Sequence, residues 1–323
     1  MKKVSILLTG GAGFIGSHIG EALVRDPRVG RVRVLDNLMT GRRENMTGIL
    51  EWGEAEFVLG DIRDEQVCVE ACRGMDVVCH QAALGSVPRS IADPLVTNAV
   101  NVTGTLNVLT AAREAGIRRV VYAASSSTYG DSTVSPRREE VVGRPISPYA
   151  VTKMVNELYA HVFSGLYGME CIGLRYFNVF GPRQNPEGAY AAVIPTFMAA
   201  VQRGEAPDIH GDGMQTRDFT YVSNVVDANL LALFTDNPAA LNRVCNIGGG
   251  EEISIRNLFE AICRLAGVGM EPVYKEVRAG DVRHSIADIS LAKEVLGYMP
   301  VVGVEDGLER VWRWMEACTE VPS

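Results

Sequence analysis

A regular alternation of short apolar segments with longer amphipathic ones constrains the fold of this chain more than any other feature. The apolar, β-branched segments predict strands at residues 3–9, 32–35, 55–59, 77–80, 120–124 and 171–175. Stretches of helical period lie between them, including residues 17–25, 101–115 and 149–167. A helix between two strands carries the chain back to a parallel neighbour, so the pattern predicts an α/β fold with a doubly wound parallel sheet.

The alternation ends after Asn178, where prolines at positions 182, 186, 195 and 207 interrupt the chain. Two more helical stretches follow, near residues 222–235 and 254–266. We therefore predict two parts. Residues 1–176, rejoined by about 220–248, form the sheet domain, and residues 177–323 form mainly a smaller mixed α/β lobe that binds substrate.

Charge and composition argue against several classes of function. The formal net charge of -8 is spread along the chain, which argues against a surface for nucleic acid. We also predict no membrane span, because no segment is long and apolar enough. The seven cysteines form no Cys-x2-Cys pair and no metal-like cluster with the five histidines, so we predict buried free thiols in a reducing cytoplasm and no metal site.

A glycine-rich turn follows the first predicted strand and precedes a helix. It reads TGGAGFIG at residues 9–16, with glycine spacings typical of dinucleotide-binding turns. Glycines let the backbone approach a pyrophosphate, and the helix N-terminus supplies N–H donors to that anion. The cofactor contacts predicted here are Gly10, Gly13, Phe14, Ile15 and Gly16.

Residues at the ends of the next strands suit the rest of a dinucleotide. Asp36 closes the second predicted strand, 20 residues after Gly16, where its carboxylate can accept both ribose hydroxyls and would repel a 2′-phosphate. NAD is therefore favoured over NADP, although Arg42 and Arg43 lie near in sequence. Further cofactor contacts are predicted at Asn37, Asp61, Ile62, Gln81, Ala82 and Ala83.

Tyr149 and Lys153 form a pair that suits proton transfer. Ser147 suits an N-cap and Pro148 a first helical position, so the two side chains should share one face of a new helix. A nearby ammonium favours a phenolate, and we expect Lys153 to bring the pKa of Tyr149 closer to neutrality.

A serine run, AASSSTYG at residues 123–130, ends the fifth predicted strand. With the glycine turn and the Tyr149–Lys153 pair, it resembles the Ser/Thr, Tyr, Lys triad of the extended short-chain dehydrogenase/reductase superfamily, over essentially the whole chain. The resemblance implies a Rossmann fold and bound NAD. It also implies that Ser125 is the catalytic serine and that Ser126 shares its work. Tyr149 would take the proton of a sugar 4-hydroxyl, and Lys153 would tune the phenol and hold the nicotinamide ribose.

The absence of two acidic residues after Ser125 reduces the number of possible reaction types. Dehydratases of this superfamily carry Asp-Glu directly after the catalytic threonine, and decarboxylases keep a glutamate at the second position. This chain has Ser126 and Ser127 there. Elimination and decarboxylation thus lose their acid and base, which leaves oxidation followed by re-reduction of the same carbon. The resemblance therefore implies an NAD-dependent sugar-nucleotide epimerase.

Further segments resemble the nucleotide-sugar site of these epimerases. The segment LRYFNVFG at residues 174–181 implies Tyr176 near the nicotinamide and Asn178 on the substrate. Arg217 and Arg278 match two arginines that bind the diphosphate, and Asp281 matches a ribose-binding aspartate. The remaining substrate contacts expected from the resemblance are Ser86, Ser125, Tyr149, Val193, Ile209 and Ser285.

The residue at position 285 bears on the choice of sugar. In UDP-galactose 4-epimerases a tyrosine there leaves no room for an N-acetyl group, and a lysine stands where this chain has Gly85. The small Ser285 implies a 4-epimerase of UDP-N-acetylglucosamine and UDP-N-acetylgalactosamine. A UDP-glucose/UDP-galactose 4-epimerase and a UDP-uronate 4-epimerase are alternatives, and a nucleotide-sensing regulator on the same fold is the non-enzyme alternative.

Two predicted helices, 101–115 and 149–167, carry apolar residues on more than one face. These residues include Leu106, Val108 and Leu109 in the first helix and Val155, Leu158 and Val162 in the second. A helix apolar that far round needs a second partner. Members of the superfamily commonly pair these helices with their copies in a four-helix interface, so we predict a homodimer.

Overall fold

Within the described residues, seven parallel strands form the central sheet. The structure is a computed structural model, and it describes residues 3–186, 191–277 and 283–320. Elements are numbered along the chain, and the strands of this sheet are β1 (Val4–Thr9), β2 (Val29–Asp36), β3 (Ala55–Leu59), β4 (Val77–His80), β5 (Arg119–Ser125), β6 (Glu170–Tyr176) and β11 (Val244–Ile247). They lie in the order β11-β6-β5-β4-β1-β2-β3, and neighbouring strands run parallel. The predicted doubly wound sheet is confirmed.

Helices cover both faces of the sheet, so its strands are apolar on both sides. Along β1, Ile6 and Leu8 pack in one core and Leu7 packs in the other. The first core lies under α1 (Phe14–Arg25), α2 (Thr47–Leu50), α9 (Val222–Phe234) and α11 (Ser290–Leu296). The second lies under α3 (Glu65–Cys72), α6 (Thr105–Glu114) and α7 (Pro148–Tyr167).

One helical stretch begins earlier than the sequence predicts. The stretch expected at 101–115 starts at α5 (Pro94–Asn98), passes through a π-helical turn at Ala99–Gly104 and continues as α6. Asp93 causes the early start, because its carboxylate accepts the Val96 N–H at 3.1 Å and Pro94 provides the first helical residue. Just before it lies α4 (Val87–Ala92).

The smaller lobe is built from short strands around a third core. Its strands are β7 (Val179–Phe180), β8 (Asp208–His210), β9 (Thr216–Arg217), β10 (Thr220–Tyr221), β12 (Ile253–Ser254), β13 (Val273–Lys275) and β14 (His284–Ser285). Its helices are α8 (Val193–Gln202), α10 (Ile255–Ala266) and α12 (Val304–Glu320). Phe14, the first residue of α1, packs on this core as well, so the glycine-rich turn lies beside both parts of the chain.

A buried ion pair fixes α7 against the sheet. Arg175 on β6 donates to both carboxylate oxygens of Glu157, at 2.9 and 2.7 Å, and its side chain is 4% exposed. Bidentate geometry of this kind is the strongest form of such a pair. Glu157 lies one turn after Lys153, so the pair fixes the segment of α7 that carries Tyr149 and Lys153.

Two expectations about apolar residues need correction. Val108 and Leu109 are not surplus apolar surface on α6, because both are buried in the second core. Cys318 is exposed, whereas the other six cysteines of the described chain are buried as expected, and all seven are free.

None of the helices in residues 3–186, 191–277 and 283–320 is long and apolar enough to cross a membrane.

Candidate active site

A cavity lies at the carboxyl ends of the strands, where the strand order reverses between β1 and β4. Ligands of open parallel sheets bind at this position. The cavity, called the first cavity below, brings together all but one of the predicted cofactor contacts. These are Gly10, Gly13, Phe14, Ile15, Gly16, Asp36, Asn37, Ile62, Gln81, Ala82, Ala83, Tyr149, Lys153 and Tyr176.

The glycine-rich turn accepts no larger residue at two positions. Gly10 has a φ of +73°, and a Cβ there would lie 2.6 Å from the Ala82 nitrogen. A Cβ at Gly16 would lie 2.0 Å from the Gly10 carbonyl oxygen. The turn therefore holds the start of α1 directly at the cavity. No described side chain caps that helix, so its first N–H groups and its positive dipole end suit a pyrophosphate, as NAD requires.

Asp36 occupies the position expected for the adenosine ribose. Its two oxygens accept the N–H groups of Ala12 at 3.0 Å and Leu38 at 2.8 Å, which fixes the carboxylate and leaves each oxygen able to accept again. Burial raises the pKa of Asp36, and these backbone bonds partly offset the effect. Of the two arginines near in sequence, Arg43 lies over the Phe57 ring at 5.4 Å, and neither is among the described residues that line the cavity. This arrangement suits NAD.

Asp61 is the predicted cofactor contact that lies outside the lining. Its carboxylate pairs with Arg63 at 2.6 Å and accepts a hydrogen bond from the Asn37 amide at 2.8 Å. The hydrogen bond from Arg63 is the main reason that the pKa of Asp61 falls to about 2. Asp61 therefore acts on the cavity through Asn37, whose side chain it orients.

Tyr149 and Lys153 lie where the helix start was predicted. Ser147 caps α7, since its hydroxyl accepts the Ala150 N–H at 3.1 Å, and Pro148 follows in the first turn. The Lys153 ammonium donates to the Ala123 carbonyl at 2.8 Å and lies 5.9 Å from the centroid of the Tyr149 ring. Lys153 thus ties α7 to the end of β5 with its charged group.

The pKa of Tyr149 is raised, contrary to expectation. Burial raises it, and the hydrogen bond with Ser125 opposes the rise only in part. Burial also lowers the pKa of Lys153 to about 8, with a partial offset from Glu157. The lysine did not lower the phenol's pKa because desolvation outweighs other effects in this site and its ammonium is directed at a carbonyl.

The serine run places two hydroxyls together. The Ser125 oxygen accepts the backbone N–H of Ser127 at 3.2 Å and its hydroxyl at 2.9 Å. Ser126 begins the short 3-10 turn Ser126–Tyr129. The neighbour whose hydroxyl contacts Ser125 is therefore Ser127, and not Ser126 as the sequence predicts. A side chain bonding two residues along the chain is common for serine at such turns.

A second cavity lies between the sheet domain and the smaller lobe. It is lined by five of the predicted substrate contacts, Ser86, Asn178, Val193, Ile209 and Arg217. Ser285 is half-buried and faces neither cavity among the described lining residues. It lies on β14, in register with Arg217 of the neighbouring strand β9. Arg278 and Asp281 fall outside the described residues.

Gln184 also lines the second cavity and is not among the residues that the sequence predicts there. Its amide nitrogen donates to the Val179 carbonyl at 3.1 Å, which fixes the amide. Its Oε1 is buried and has no hydrogen-bond partner among the described residues. A buried acceptor without a partner is costly, so a ligand donor would relieve this cost. No sequence pattern points to it, because Gln184 lies in an irregular loop.

Comparison with known proteins gives one consistent result. Residues 6–248 match the model of the NAD dependent epimerase/dehydratase family. A putative UDP-glucose 4-epimerase of Methanocaldococcus jannaschii is 40% identical over 313 residues, which is 96% of this chain and 98% of the relative.

Two solved structures are also similar at 38% identity, each covering 98% of this chain and 100% of the other. One is UDP-glucose 4-epimerase of Thermotoga maritima with UDP-glucose, at a TM-score of 0.91. The other is UDP-N-acetylglucosamine 4-epimerase of Methanobrevibacter ruminantium in complex with UDP-N-acetylmuramic acid, at a TM-score of 0.92.

The raised pKa of Tyr149 leads to a direct prediction. In protein stripped of nucleotide, the phenol should ionise only above its ordinary value of about 10. The difference in absorbance near 295 nm between the wild type and Tyr149→Phe, followed against pH, isolates this one phenol. Tyr159→Phe, on the same helix, serves as the control for a general loss of one tyrosine. Ionisation of Tyr149 near pH 7 would contradict the geometry described.

Proposed function

This chain belongs to the NAD-dependent epimerase/dehydratase family, and we propose that it interconverts UDP-N-acetylglucosamine and UDP-N-acetylgalactosamine by inverting carbon 4 of the hexose. The chain is an isomerase, an NAD-dependent 4-epimerase of UDP-sugars. The N-acetylated sugar is the finer part of the proposal. The small residues at 85 and 285 carry it.

Two half-reactions at the same carbon account for the inversion. The glycine-rich turn and Asp36 in the first cavity would hold NAD, which would supply the hydride acceptor for carbon 4 and the hydride donor to the opposite face of the 4-ketose, so that NAD would be regenerated in each cycle. Tyr149 acts as the phenolate, a form that the positive charge of bound NAD+ would favour despite burial, and its oxygen receives the proton of the 4-hydroxyl and later gives it back to the same oxygen. Ser125, already hydrogen-bonded to the phenol, shares its hydrogen bond with that oxygen.

The two cavities divide the work of holding the substrate. Inversion requires the hexose to turn over while the rest of the molecule stays bound. Arg217 in the second cavity carries a permanent charge and a forked set of donors, which suits a diphosphate. Arg278 is proposed as its partner. The nucleotide is thus the anchor, and the hexose between the anchor and Tyr149 is free to rotate.

The space around the hexose supports an N-acetylated sugar. A Cβ built on Gly85 would have no described atom within 4 Å, and Gly85 lies next to Ser86, so it stands between the two cavities. Ala191, Ala192 and Val193 add a small apolar lining to the second cavity. An N-acetyl group needs both room and an apolar contact for its methyl group.

The UDP-glucose/UDP-galactose pair is the second candidate. The similarity to a relative and a solved structure of that class favours it. The pocket that we propose accepts plain hexoses as well, because a site with room for an N-acetyl group has room for a hydroxyl. Relative rates therefore distinguish the candidates better than the presence of activity. A UDP-uronate 4-epimerase is a further alternative for the same assay.

Replacing Ser285 by tyrosine tests the choice of sugar. Ser285 lines neither cavity, but it lies in register with Arg217 of the second cavity, so we expect the longer tyrosine side chain to reach the space proposed for the N-acetyl group. Overpacking of this kind costs about 1–3 kcal/mol. We expect kcat/KM for UDP-N-acetylglucosamine to fall about tenfold or more, with UDP-glucose changed by less than about threefold. Coupled assays on the four UDP-hexoses measure both.

His284→Tyr is the matched control for this substitution. It adds the same phenol to the same short strand, on an exposed residue whose side chain points to the other side of β14. If Ser285→Tyr loses activity on both kinds of sugar equally, or on neither, the gate assigned to position 285 is wrong.

We also propose that two copies of the chain associate through α7. An apolar stripe on this helix is exposed at Val151, Leu158, Val162 and Leu166, the last of these 71% exposed. Ile91 and Leu95, on the helices α4 and α5 that pack beside α7, extend it. These six exposed apolar residues, on three helices that pack together, form a patch of the kind that marks a protein–protein interface. This set, called the α7 patch, replaces the predicted contribution of Val108 and Leu109.

Leu158→Glu should separate the two copies. Burying an unpaired carboxylate in the centre of the α7 patch costs several kcal/mol, more than an interface of this kind can offset. Light scattering coupled to size exclusion should show twice the chain mass for the wild type and a single mass for the variant. Met299→Glu, at a residue 68% exposed elsewhere, should leave the mass unchanged. A monomeric wild type would contradict the proposal.

A further inference from the structure

Three side chains close a ring of hydrogen bonds beneath the first cavity. Asn229 on α9 lies within 2.9 Å of the Tyr176 hydroxyl through its Nδ2, and that hydroxyl lies 3.0 Å from Gln81 Oε1. Gln81 Nε2 in turn donates to Asn229 Oδ1 at 3.0 Å. Gln81 and Tyr176 line the cavity, whereas Asn229 is fully buried behind them.

The direction of the ring is fixed from outside it. Asn229 Nδ2 also donates to the Val225 carbonyl at 2.7 Å. A carbonyl oxygen only accepts, so the amide nitrogen of Asn229, and not its oxygen, must face Val225 and Tyr176. Tyr176 then accepts from Asn229 Nδ2, and its single proton lies between two acceptors, Gln81 Oε1 at 3.0 Å and Asn229 Oδ1 at 3.2 Å. A backbone carbonyl in α9 thus sets the orientation of an amide in the cavity wall.

The ring determines what Gln81 offers to a ligand. One of its amide N–H groups is used by Asn229, and the other lies 3.5 Å from the Cys79 sulfur. Its oxygen accepts from Tyr176 and keeps one lone pair. Gln81 therefore meets a ligand as an acceptor and not as a donor. Tyr176 is equally fixed, since its hydroxyl donates and accepts within the ring.

This part of the cavity is the end that lies near Ser125, because β5 lies between β4 and β6, whereas Asp36 ends β2 on the far side of β1. Gln81 and Tyr176 line the same cavity as Tyr149 and Lys153, at the carboxyl ends of β4 and β6. Asn229 does not line the cavity itself, and it contacts Gln81 and Tyr176 from behind. The polar amide of Asn229 is nevertheless required for these hydrogen bonds. An apolar residue of the same size would fill the space but would leave Gln81 and Tyr176 without their partner.

We propose that Asn229 is a positioning residue for the nicotinamide half of NAD. Through the ring it holds the Gln81 amide with its oxygen available as an acceptor and holds the Tyr176 ring in one place. This role depends on the NAD site and not on which UDP-sugar is used. If the proposed sugar proves wrong, the role proposed for Asn229 is therefore unaffected.

Asn229→Leu tests the proposal by opening the ring. We expect the variant to release NAD about tenfold faster than the wild type, the effect of one lost partner for a buried polar pair. The measurement is the NAD retained per chain, by acid extraction, after successive times of gel filtration. The KM for the UDP-sugar should change by less than about twofold, because the second cavity is intact.

Asn224→Leu is a matched control on the same helix. Asn224 is as buried as Asn229, and its amide donates to the Val302 carbonyl at 2.8 Å, away from the cavity. Thermal unfolding should show a loss of stability in both variants, whereas only Asn229→Leu should release NAD faster. Asn229→Asp keeps the shape and the acceptor for Gln81 but loses both donors, so it should also release NAD faster and serves if the leucine variant does not fold.

A double-mutant cycle with Tyr176→Phe separates the ring from independent packing. If the three groups act as a unit, removing the Tyr176 hydroxyl in Asn229→Leu should add less than about twofold to the loss of NAD. Fully additive effects of the two substitutions would overturn the proposal. Equal retention of NAD by Asn229→Leu, Asn224→Leu and the wild type would overturn it as well.

Discussion

Parallel pairing of the strands brings the functional groups of this protein together. Because neighbouring strands of the sheet run in the same direction, their carboxyl ends share one edge. The glycine-rich turn after β1, Asp36 at the end of β2, Gln81 after β4 and Tyr176 at the end of β6 therefore line one cavity. The reversal of strand order between β1 and β4 opens the space that they surround. Function at this edge follows from the direction of the strands.

The ammonium of Lys153 joins this edge of the sheet to α7, the helix that carries Tyr149. Lys153 reaches from α7 to the carbonyl of Ala123, and the buried pair of Arg175 with Glu157 holds the next turn of the same helix. The cost is electrostatic, since burial lowers the pKa of Lys153 to about 8 and raises the pKa of Tyr149. Without bound NAD, burial therefore keeps the Tyr149 phenol protonated. Ser125 supplies the hydrogen bond that opposes this rise in the pKa of Tyr149. The position of this serine therefore affects the pKa of the phenol more than the nearby Lys153 does.

The sequence predicted those features that depend on neighbours along the chain. The sheet, the cap at Ser147 and the gathering of the cofactor contacts followed from strand ends and helix starts. Features that depend on distant packing escaped it. Asn229 meets Gln81 across 148 positions of sequence, the pKa of Tyr149 depends on burial, and Val108 is core because α6 lies on the sheet. Periodicity shows that a face is apolar, but it does not show which surface covers that face.

In the proposed reaction, the hydrogen that leaves carbon 4 returns to the same carbon within one site. Proton NMR of UDP-N-acetylglucosamine incubated with the protein in D2O, without added NAD, tests it most directly. We expect conversion to UDP-N-acetylgalactosamine with protium retained at carbon 4, and little or no conversion by Tyr149→Phe. Deuterium at carbon 4 of the product, or conversion that proceeds equally well in Tyr149→Phe, would contradict it.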